Sequence, residues 1–371
     1  MEILNFLIPF LVLLTVVVFV HEYGHYYFAK KYGVGVTDFS IGFGKEIFGF
    51  NDKSGTRWKF CAIPLGGYVK FFGDRNVFSQ AEQEELLKKY NKDDQQKLFV
   101  TKPLYQRSLI VLAGPLANFI LAILIFAFIN MFSGKDFTPA LINEVQKDSP
   151  AYSAGIKSGD LIISINEKEV NSILEVSSFI NMSTSDNITI KILRNDKNMD
   201  FVVTPRLVKG KDSLGNMINK KIIGIQISPL NNELTREKLG PASALFYAFK
   251  ETWFVTKASL DFVVSLTKGK GDTTQLGGPI KIAKITGQVA QLGFIAFLSI
   301  MAYISISLGF INLFPIPMLD GGHLMFYAFE KILGRPLSQK TQEGFFRIGL
   351  FLLVFLMLFT TINDLKDIGI F

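Results

Sequence analysis

The stretch VVFVHEYGHYYFAK, Val17–Lys30, ends a long apolar run with two histidines and a glutamate. An ionisable side chain at bilayer depth costs about 2.5–3.5 kcal/mol on insertion scales, so such residues are rare there and usually mark function. His21 and His25 are four residues apart, which places both rings on one face of a helix, about one turn apart. Glu22 completes the pattern H-E-x-x-H, in which two histidines bind zinc and the glutamate acts as a general base. A polar cap at the helix end is the alternative interpretation.

A third ligand is needed, because catalytic zinc sites have three protein ligands and one position left for water. The chain contains three histidines, and the last of them, His323, closes the stretch NLFPIPMLDGGH. Asp320 lies between apolar residues and two glycines that allow close backbone approach, and a carboxylate in such surroundings is costly unless it meets a cation. The sequence therefore predicts Asp320 as the third ligand. His323 remains open, as a direct ligand or as a residue that shapes the surroundings of the site.

The composition indicates a membrane protein. The chain has 371 residues, of which 49% are hydrophobic, and its mean hydropathy is +0.31. A single cysteine, Cys61, excludes an internal disulfide framework and a multi-cysteine zinc site. The formal net charge is +7, but the lysines and arginines are spread through loops and form no basic helix, so nucleic-acid binding is not indicated.

Four segments are long enough to cross a bilayer, which takes roughly 20 apolar residues. They are Ile3–Val20, Ser108–Phe132, Leu292–Leu313 and the shorter Ile348–Ile362. The first could instead be a cleaved signal peptide. Because Glu2 stands where a basic region is expected and no small-x-small cleavage site follows, a retained anchor is predicted.

A fifth apolar segment, Ala242–Leu266, differs from these four in its charges. Lys250, Lys257 and Asp261 recur at intervals of seven and then four residues, so they share one helical face. This pattern predicts a helix that lies on the membrane surface and does not cross the bilayer.

The distribution of basic residues predicts the orientation of the spans. No lysine or arginine precedes the first span, whereas Lys30 and Lys31 follow it at once. The connection between the last two spans is also basic and contains Lys331, Arg335, Lys340 and Arg347. Since basic loops tend to be cytoplasmic, four spans place both termini and the stretch 133–240 outside. The H-E-x-x-H motif and Asp320 then both lie towards the cytoplasm.

Four motifs in this order, HEYGH, IPLGGYVK (Ile63–Lys70), AGPLANF (Ala113–Phe119) and NLFPIPMLDGG, resemble those of the bacterial site-2 protease family. The resemblance covers nearly the whole chain. It implies a zinc intramembrane metalloprotease that cleaves transmembrane helices, typically after another protease has trimmed the substrate. The site residues that it implies are the zinc ligands His21, His25 and Asp320, the base Glu22, and Asn312, which helps to hold the substrate or the oxyanion.

The segment 31–106 is predicted to form short strands and tight turns on the cytoplasmic side or dipping into the membrane, since apolar and polar residues alternate there and glycines recur. The family resemblance implies that Gly42, Phe43 and Gly44 belong to a re-entrant segment that handles the substrate. It also implies that a nearby strand pairs with the unwound substrate. Structural β packing is the alternative role for these residues.

Two further stretches receive structural interpretations. Gly114 and Asn118 are four residues apart in AGPLANF and share one helical face, which favours close helix packing with a polar group inside the bundle. The family resemblance implies the alternative that this face lies near the catalytic helices. The charged stretch Glu82–Lys97 is predicted to be an exposed helix.

The segment 136–228 carries the pattern S-P-A, A-G-I and G-D within alternating strand and helix signals, and it resembles a single bacterial PDZ domain. Its stretch Ile222–Ile227 is the predicted peptide-binding edge, where the C-terminus of a partner peptide would add as a strand.

The predicted fold is therefore a polytopic α-helical membrane protein with four transmembrane helices, a membrane-associated β region and one extracytoplasmic α+β PDZ domain. The predicted segments are the first helix with H-E-x-x-H (1–30), the β-rich loop (31–106), the second helix (107–133), the PDZ domain (136–228), the surface helix (240–267), a linker (268–290), the third helix with L-D-G-G (291–325) and the fourth helix (344–363).

The predicted function is zinc-dependent cleavage of transmembrane segments of single-span proteins, such as an anti-sigma factor in a stress response or remnant signal peptides, in regulated intramembrane proteolysis at the bacterial inner membrane. Zn²⁺ is the predicted cofactor. The predicted partners are a pre-cleaved transmembrane substrate, the lipid bilayer and a peptide C-terminus at the PDZ domain, with no nucleic acid. The alternative is a membrane PDZ scaffold or quality-control factor with a non-catalytic metal site. Glu22 favours the enzyme, because a structural zinc site needs no base beside its ligands.

Overall fold

The computed structural model describes residues 2–74, 87–183, 185–211, 217–229, 233–269, 273 and 276–367. The chain divides into two compact units. Unit 1 comprises Met1–Ile125 and Gly277–Phe371, and unit 2 comprises Phe126–Leu276. All three predicted zinc ligands belong to unit 1.

Ten α-helices have both ends within the described ranges. They are α1 (Glu2–Lys31), α2 (Lys92–Gln95), α3 (Leu104–Phe132), α4 (Pro150–Ala154), α5 (Ile173–Asn181), α6 (Pro241–Thr267), α7 (Pro279–Gln291), α8 (Phe294–Asn312), α9 (Asp320–Leu333) and α10 (Gln339–Asp367). Twelve strands accompany them. They are β1 (Val36–Asn51), β2 (Arg57–Phe71), β3 (Lys135–Asp136), β4 (Ile142–Val145), β5 (Leu161–Ile165), β6 (Lys168–Glu169), β7 (Ile188–Arg194), β8 (Lys197–Val203), β9 (Arg206–Lys211), β10 (Met217–Ile222), β11 (Ile225–Ile227) and β12 (Arg236–Glu237).

Four helices in the described part of the chain, α1, α3, α8 and α10, are long and apolar enough to cross a membrane. This confirms the predicted number of spanning helices. Helix α8 stops at Asn312, within one residue of the end of the predicted span Leu292–Leu313, so the predicted segment 291–325 contains more than this one helix. Pro315 and Pro317 follow, and each lacks the backbone N–H that would continue the helix. A separate helix, α9, begins at Asp320.

Two other predicted segments are helical in part. The predicted linker 268–290 contains α7, a helix of 13 residues. Of the stretch Glu82–Lys97, which was predicted to be an exposed helix, residues 82–86 lie outside the described residues. Residues 87–89 are helical and exposed, and the single turn Lys92–Gln95 follows, capped by the side chain of Asn91.

The loop 31–106 contains two long strands, β1 and β2, which pair antiparallel with several irregularities in register. Residues 36–41 lie between residues 67–71 on one side and residues 57–60 on the other. The irregularities run from Val36 to Phe48 and include the positions of Gly42 and Gly44, whose φ angles are +88° and +86°. Such angles are strained for any residue with a Cβ, so these two glycines allow β1 to bend.

Unit 2 has the α+β character predicted for segment 136–228. Its four-stranded sheet has the order β6-β5-β7-β8, and three further strand pairs accompany it, among them β11 with β4. The core consists of apolar side chains from the strands and from α5 that are almost fully buried, including Ile162, Ile165, Val176, Ile188, Ile190 and Ile192. The predicted edge Ile222–Ile227 is divided in two. Ile222 ends β10, and only Ile225–Ile227 forms β11.

The turn between β1 and β2 is tied to helix α1 by one carboxylate, that of Asp52. Its Oδ1 accepts hydrogen bonds from the hydroxyl of Ser54 at 2.7 Å and from the backbone N–H groups of Ser54 and Thr56 at 2.8 and 2.9 Å. Its Oδ2 accepts one from the hydroxyl of Tyr26 in α1 at 2.8 Å and one from the indole of Trp58 at 3.2 Å. Burial alone would raise the pKa of Asp52, but these hydrogen bonds hold the pKa well below its usual range.

We expect Asp52→Asn to loosen this turn, because the substitution removes the charge that strengthens five hydrogen bonds. Hydrogen bonds to charged groups contribute about 1.5–3 kcal/mol each, so amide exchange of residues 50–58 should accelerate by roughly tenfold or more. A carboxyl with a depressed pKa stabilises the folded state fully above its unfolded pKa of about 3.9, so the wild-type turn should loosen in the same way only as the pH falls below that value towards the lower pKa of the folded state. Asp93→Asn, at an exposed aspartate, is the matched control. Equal exchange in the two variants would contradict the anchoring role.

Candidate metal centre

Helix α1 brings both histidines of H-E-x-x-H to one side. The Nε2 atoms of His21 and His25 lie 3.3 Å apart, as the four-residue spacing predicts. The helix packs closely on α3 at this level, because a Cβ at Gly24 would collide with the carbonyl group of Ala113. The glycine of HEYGH therefore brings the histidines close to α3.

Asp320, the first residue of α9, faces the two histidines. Its Oδ2 lies 3.2 Å from Nε2 of His21, and its Oδ1 lies 3.5 Å from Nε2 of His25. The non-helical segment after α8 turns sharply before Asp320. Added Cβ atoms at Gly321 and Gly322 would collide with the backbone of residues 313–317, so only glycine permits this close turn.

The three ligand atoms have the spacing of a zinc site. The groups of His21, His25 and Asp320 offer one ligand atom each, and these atoms all lie within 4.8 Å of one another. Zinc bonds of about 2.0–2.2 Å in a tetrahedron place neighbouring ligand atoms roughly 3.3 Å apart, close to the separations seen here. Oδ2 of Asp320 is buried and has no hydrogen-bond partner among the described residues. Such a buried acceptor facing two imidazole nitrogens fits a cation.

Groups on α3 orient the rings of both histidines through their Nδ1 atoms. Nδ1 of His25 donates a hydrogen bond to the carbonyl oxygen of Ile110 at 2.9 Å, which leaves the Nε2 lone pair free to bind a metal. Nδ1 of His21 lies 3.3 Å from the side-chain amide of Asn118. Asn118 is fully buried, and its Oδ1 has no partner among the described residues. Rotating the side-chain amide of Asn118 by 180° would let Oδ1 accept a hydrogen bond from Nδ1–H of His21. His21 would then have the same tautomer as His25.

Gly114 provides the space for these rings. A Cβ at this position would collide with the imidazole of His25 and lie 3.0 Å from Cε1 of His21. The sequence interpretation favoured helix packing for Gly114 and Asn118, with a position near the catalytic helices as the alternative, and did not name their contacts with the histidines. The signal was present in their four-residue spacing, since both belong to one face of a helix that must pack against something polar.

Glu22 lies next to the three ligands but is not itself one of the residues that could hold the metal ion. It interacts with the backbone of Val69 in β2, and its Cγ lies 3.2 Å from the position of a Cβ at Gly67. The β2 segment therefore runs directly past the glutamate. Any peptide that reaches the carboxylate of Glu22 lies next to this segment.

His323 does not join the ligand group. Its ring packs against Phe346 and Phe326, with centroid separations of 5.7 and 6.4 Å. The geometry thus favours Asp320 as the third ligand and places His323 one helical turn behind it.

The residues assigned to substrate handling are not among the ligands. Asn312 is the last residue of α8. Gly42 and Gly44 form the bend of β1, and a Cβ at Gly42 would lie 2.7 Å from the carbonyl oxygen of Ile63. The ring of Phe43 stacks on Tyr68 with a centroid separation of 6.2 Å. These contacts give the two glycines and Phe43 a structural role in the hairpin, and their role in substrate binding stays a prediction.

Comparison with known proteins identifies the family, because residues 9–356 match Peptidase family M50. The chain belongs to peptidase family M50. "Putative zinc metalloprotease mll0638" of Mesorhizobium japonicum is 42% identical over 365 residues, which are 98% of this chain and 99% of the relative. "Metalloprotease MmpA" of Caulobacter vibrioides is 35% identical over 386 residues, covering 98% of this chain and 96% of that protein. This M50 peptidase is a zinc metalloprotease.

The matched pair Asp320→Ala and His323→Ala separates the two candidate third ligands. We expect Asp320→Ala to lose most of its bound zinc after dialysis, since two histidines alone bind the ion weakly, and His323→Ala to keep a stoichiometric amount. Zinc content is measured by elemental analysis of the purified chains. The opposite result would reassign the ligand to His323.

Gly114→Ala should also lower zinc affinity, by about 10–100-fold, because the added methyl group displaces the ring of His25. Gly344→Ala is the matched control, since nothing lies within 4 Å of a Cβ at that position. Titration with a competing chelator gives both affinities. Equal affinities would show that the imidazoles accommodate the methyl group.

Proposed function

We propose that this zinc metalloprotease cleaves transmembrane segments of single-span membrane proteins within the bilayer. The observation that carries the proposal is the position of the ligand group. His21 and His25 lie in α1, a helix apolar enough to cross a membrane, and Asp320 follows α8, another such helix. A site built between helices of this kind meets substrates from the membrane.

The ligands His21, His25 and Asp320 would hold the zinc ion. When bound, zinc lowers the pKa of a coordinated water and polarises the scissile carbonyl group. Glu22 accepts a proton from the attacking water and passes it to the departing amine nitrogen. The carbonyl oxygen of Ile110 holds the imidazole of His25 in the tautomer that faces the ion, and Asn118 would do the same for His21 with its amide rotated so that Oδ1 accepts from Nδ1–H.

The substrate would bind as an extended strand beside β2. A transmembrane helix must be unwound before a peptidase can reach its amide bonds, since helical hydrogen bonds occupy the backbone. Residues 67–71 pair with residues 36–41, and Gly67 lies against Glu22. A strand added to this segment would satisfy the unwound backbone next to the base. Asn312 would then hold the substrate or the oxyanion.

The setting of the reaction is also a proposal. Basic residues after α1 and between α8 and α10 support a cytoplasmic position for the site and an extracytoplasmic position for unit 2 in the bacterial inner membrane. A PDZ domain there would limit access to substrates that another protease has already trimmed, as in regulated intramembrane proteolysis. The edge of β11 that does not pair with β4 would be able to take a peptide C-terminus.

The test is Glu22→Gln in purified, membrane-reconstituted protein. The amide cannot accept the proton of water, so cleavage of a model single-span substrate should fall by at least about a hundredfold while the zinc content stays unchanged. Glu233→Gln, at an exposed glutamate of unit 2, is the control and should cleave normally. Near-normal turnover by Glu22→Gln would overturn the proposed chemistry. Cleavage of soluble peptides with no cleavage of a transmembrane segment would overturn the proposed substrate class.

A further inference from the structure

Arg107, in the first turn of α3, binds α9 through its guanidinium group. Its Nε donates a hydrogen bond to the backbone carbonyl oxygen of Lys102 at 3.1 Å. Its two terminal nitrogens donate to the two carboxylate oxygens of Glu330 at 3.1 and 2.5 Å. A pair joined by two parallel bonds fixes the orientation of both side chains as well as their distance. The two side chains are only 14% and 18% exposed, so solvent screens the pair weakly.

The same guanidinium group lies over an aromatic ring of α9. Its central carbon is 5.2 Å from the ring centre of Tyr327, which is 5% exposed. Tyr327 and Glu330 are three residues apart and are therefore neighbours on the helix surface. We name Arg107, Tyr327 and Glu330 the Arg107 clamp. Lysine does not replace arginine in such a contact, because an ammonium group has neither the planar fork nor the flat face.

The metal ligand of α9 lies on the same side of the helix as the clamp. Tyr327 follows Asp320 by seven residues, which is about 20° short of two full turns. The ring of Tyr327 packs in one buried cluster with Ile110 and Val111 of α3 and Ala29 of α1. The carboxylate of Asp320 meets the histidines of α1. One side of α9 therefore carries the ligand at its first residue and the clamp two to three turns later.

The rotation of α9 about its own axis decides where the carboxylate of Asp320 lies. A non-helical segment separates α9 from α8, so α9 does not inherit its orientation from that helix. Gly321 and Gly322 bring its start close to residues 313–317, but they have no side chains with which to fix its rotation. A side-chain atom lies roughly 5 Å from a helix axis, so a rotation by about 10° moves it by about 0.9 Å. Metal–ligand distances tolerate only about ±0.2 Å.

The clamp joins α9 to the part of α3 that also orients His25. Arg107 precedes Ile110 by three residues, which is about one helical turn. The carbonyl oxygen of Ile110 accepts the hydrogen bond from Nδ1 of His25 at 2.9 Å. The first two turns of α3 therefore contact the supports of two different ligands, the ring of His25 and the helix that carries Asp320.

We propose that Arg107 is a positioning residue of the metal centre. Through the Arg107 clamp it sets the rotation of α9 and so places the carboxylate of Asp320 on the ion that the two histidines of α1 hold. This inference goes beyond the cleavage of transmembrane segments and rests only on the ligand set of the proposed function. An ion pair that merely stabilised the fold would change the stability of the chain and leave the geometry at the metal unaltered.

The test is Arg107→Lys in the purified full chain with Co²⁺ in place of zinc. Lysine keeps the charge but loses the fork and the stacking, so the carboxylate of Asp320 should move. The visible absorption bands of bound Co²⁺ depend on the number and arrangement of its ligands, and they should shift towards the bands of Asp320→Ala. Zinc affinity, measured by competition with a chelator, should fall by about 10–100-fold.

Arg57→Lys is the matched control. Arg57 forms an ion pair with Glu46 that is also 2.5 Å long, but this pair joins β1 to β2. The Co²⁺ bands and the zinc affinity of this variant should equal those of the unsubstituted chain. Unchanged bands and affinity in a folded Arg107→Lys would overturn the positioning role. Unchanged bands in Asp320→Ala would instead overturn the ligand set itself, so the two failures are distinguishable.

Glu330→Gln gives an independent measurement and covers the case in which Arg107→Lys does not fold. The amide keeps the length of the side chain but loses the charge and one of the two acceptor oxygens, so the bands and the affinity should change in the same direction. Unchanged bands in this variant would also overturn the proposal. If both residues act through one pair, the double variant should bind zinc at most about twofold more weakly than the weaker single variant. Losses that multiply would show that the two side chains act separately and would contradict the clamp.

Discussion

The approach of Asp320 to His21 and His25 is the constraint on which the rest of unit 1 depends. A buried carboxylate without a hydrogen-bond partner for one oxygen is costly, and two imidazole nitrogens beside it do not remove that cost unless a cation joins them. The site therefore exists only if two helices far apart in the chain end on the same side of the membrane. The break after α8 serves this requirement, because it lets Asp320 reach the histidines of α1.

Glycine makes this approach possible at each step. Gly24 brings α1 against α3, Gly114 leaves room for the imidazoles, and Gly321 and Gly322 let the chain fold back on itself after α8. In a bilayer, helices gain no hydrophobic energy by associating, so close van der Waals packing through small residues is the main way to hold them together. The same residues that pack the bundle therefore also shape the metal site.

Much of this site could be predicted from the sequence, because its signals are local. The four-residue spacing of His21 and His25 identifies one helical face, and an aspartate between apolar residues and glycines stands out in any membrane segment. The role of Asn118 was missed because a polar residue inside a helix pattern says nothing about which neighbour it faces. The apolar run to Leu313 placed the end of α8 within one residue, but the start of a separate helix at Asp320 was not predicted. The anchor at Asp52 depends on a contact with Tyr26 that no periodicity reveals.

The long separation of the ligands along the chain has a thermodynamic consequence. A metal ion held by residues 21, 25 and 320 is a cross-link that closes a loop of most of the chain. Such a cross-link restricts the unfolded ensemble, and binding to the folded form alone adds RT ln(1 + [Zn²⁺]/Kd) to the free energy of unfolding. The stability of unit 1 then depends on the free zinc concentration. A cell that withdraws zinc would weaken the architecture of this peptidase together with its chemistry.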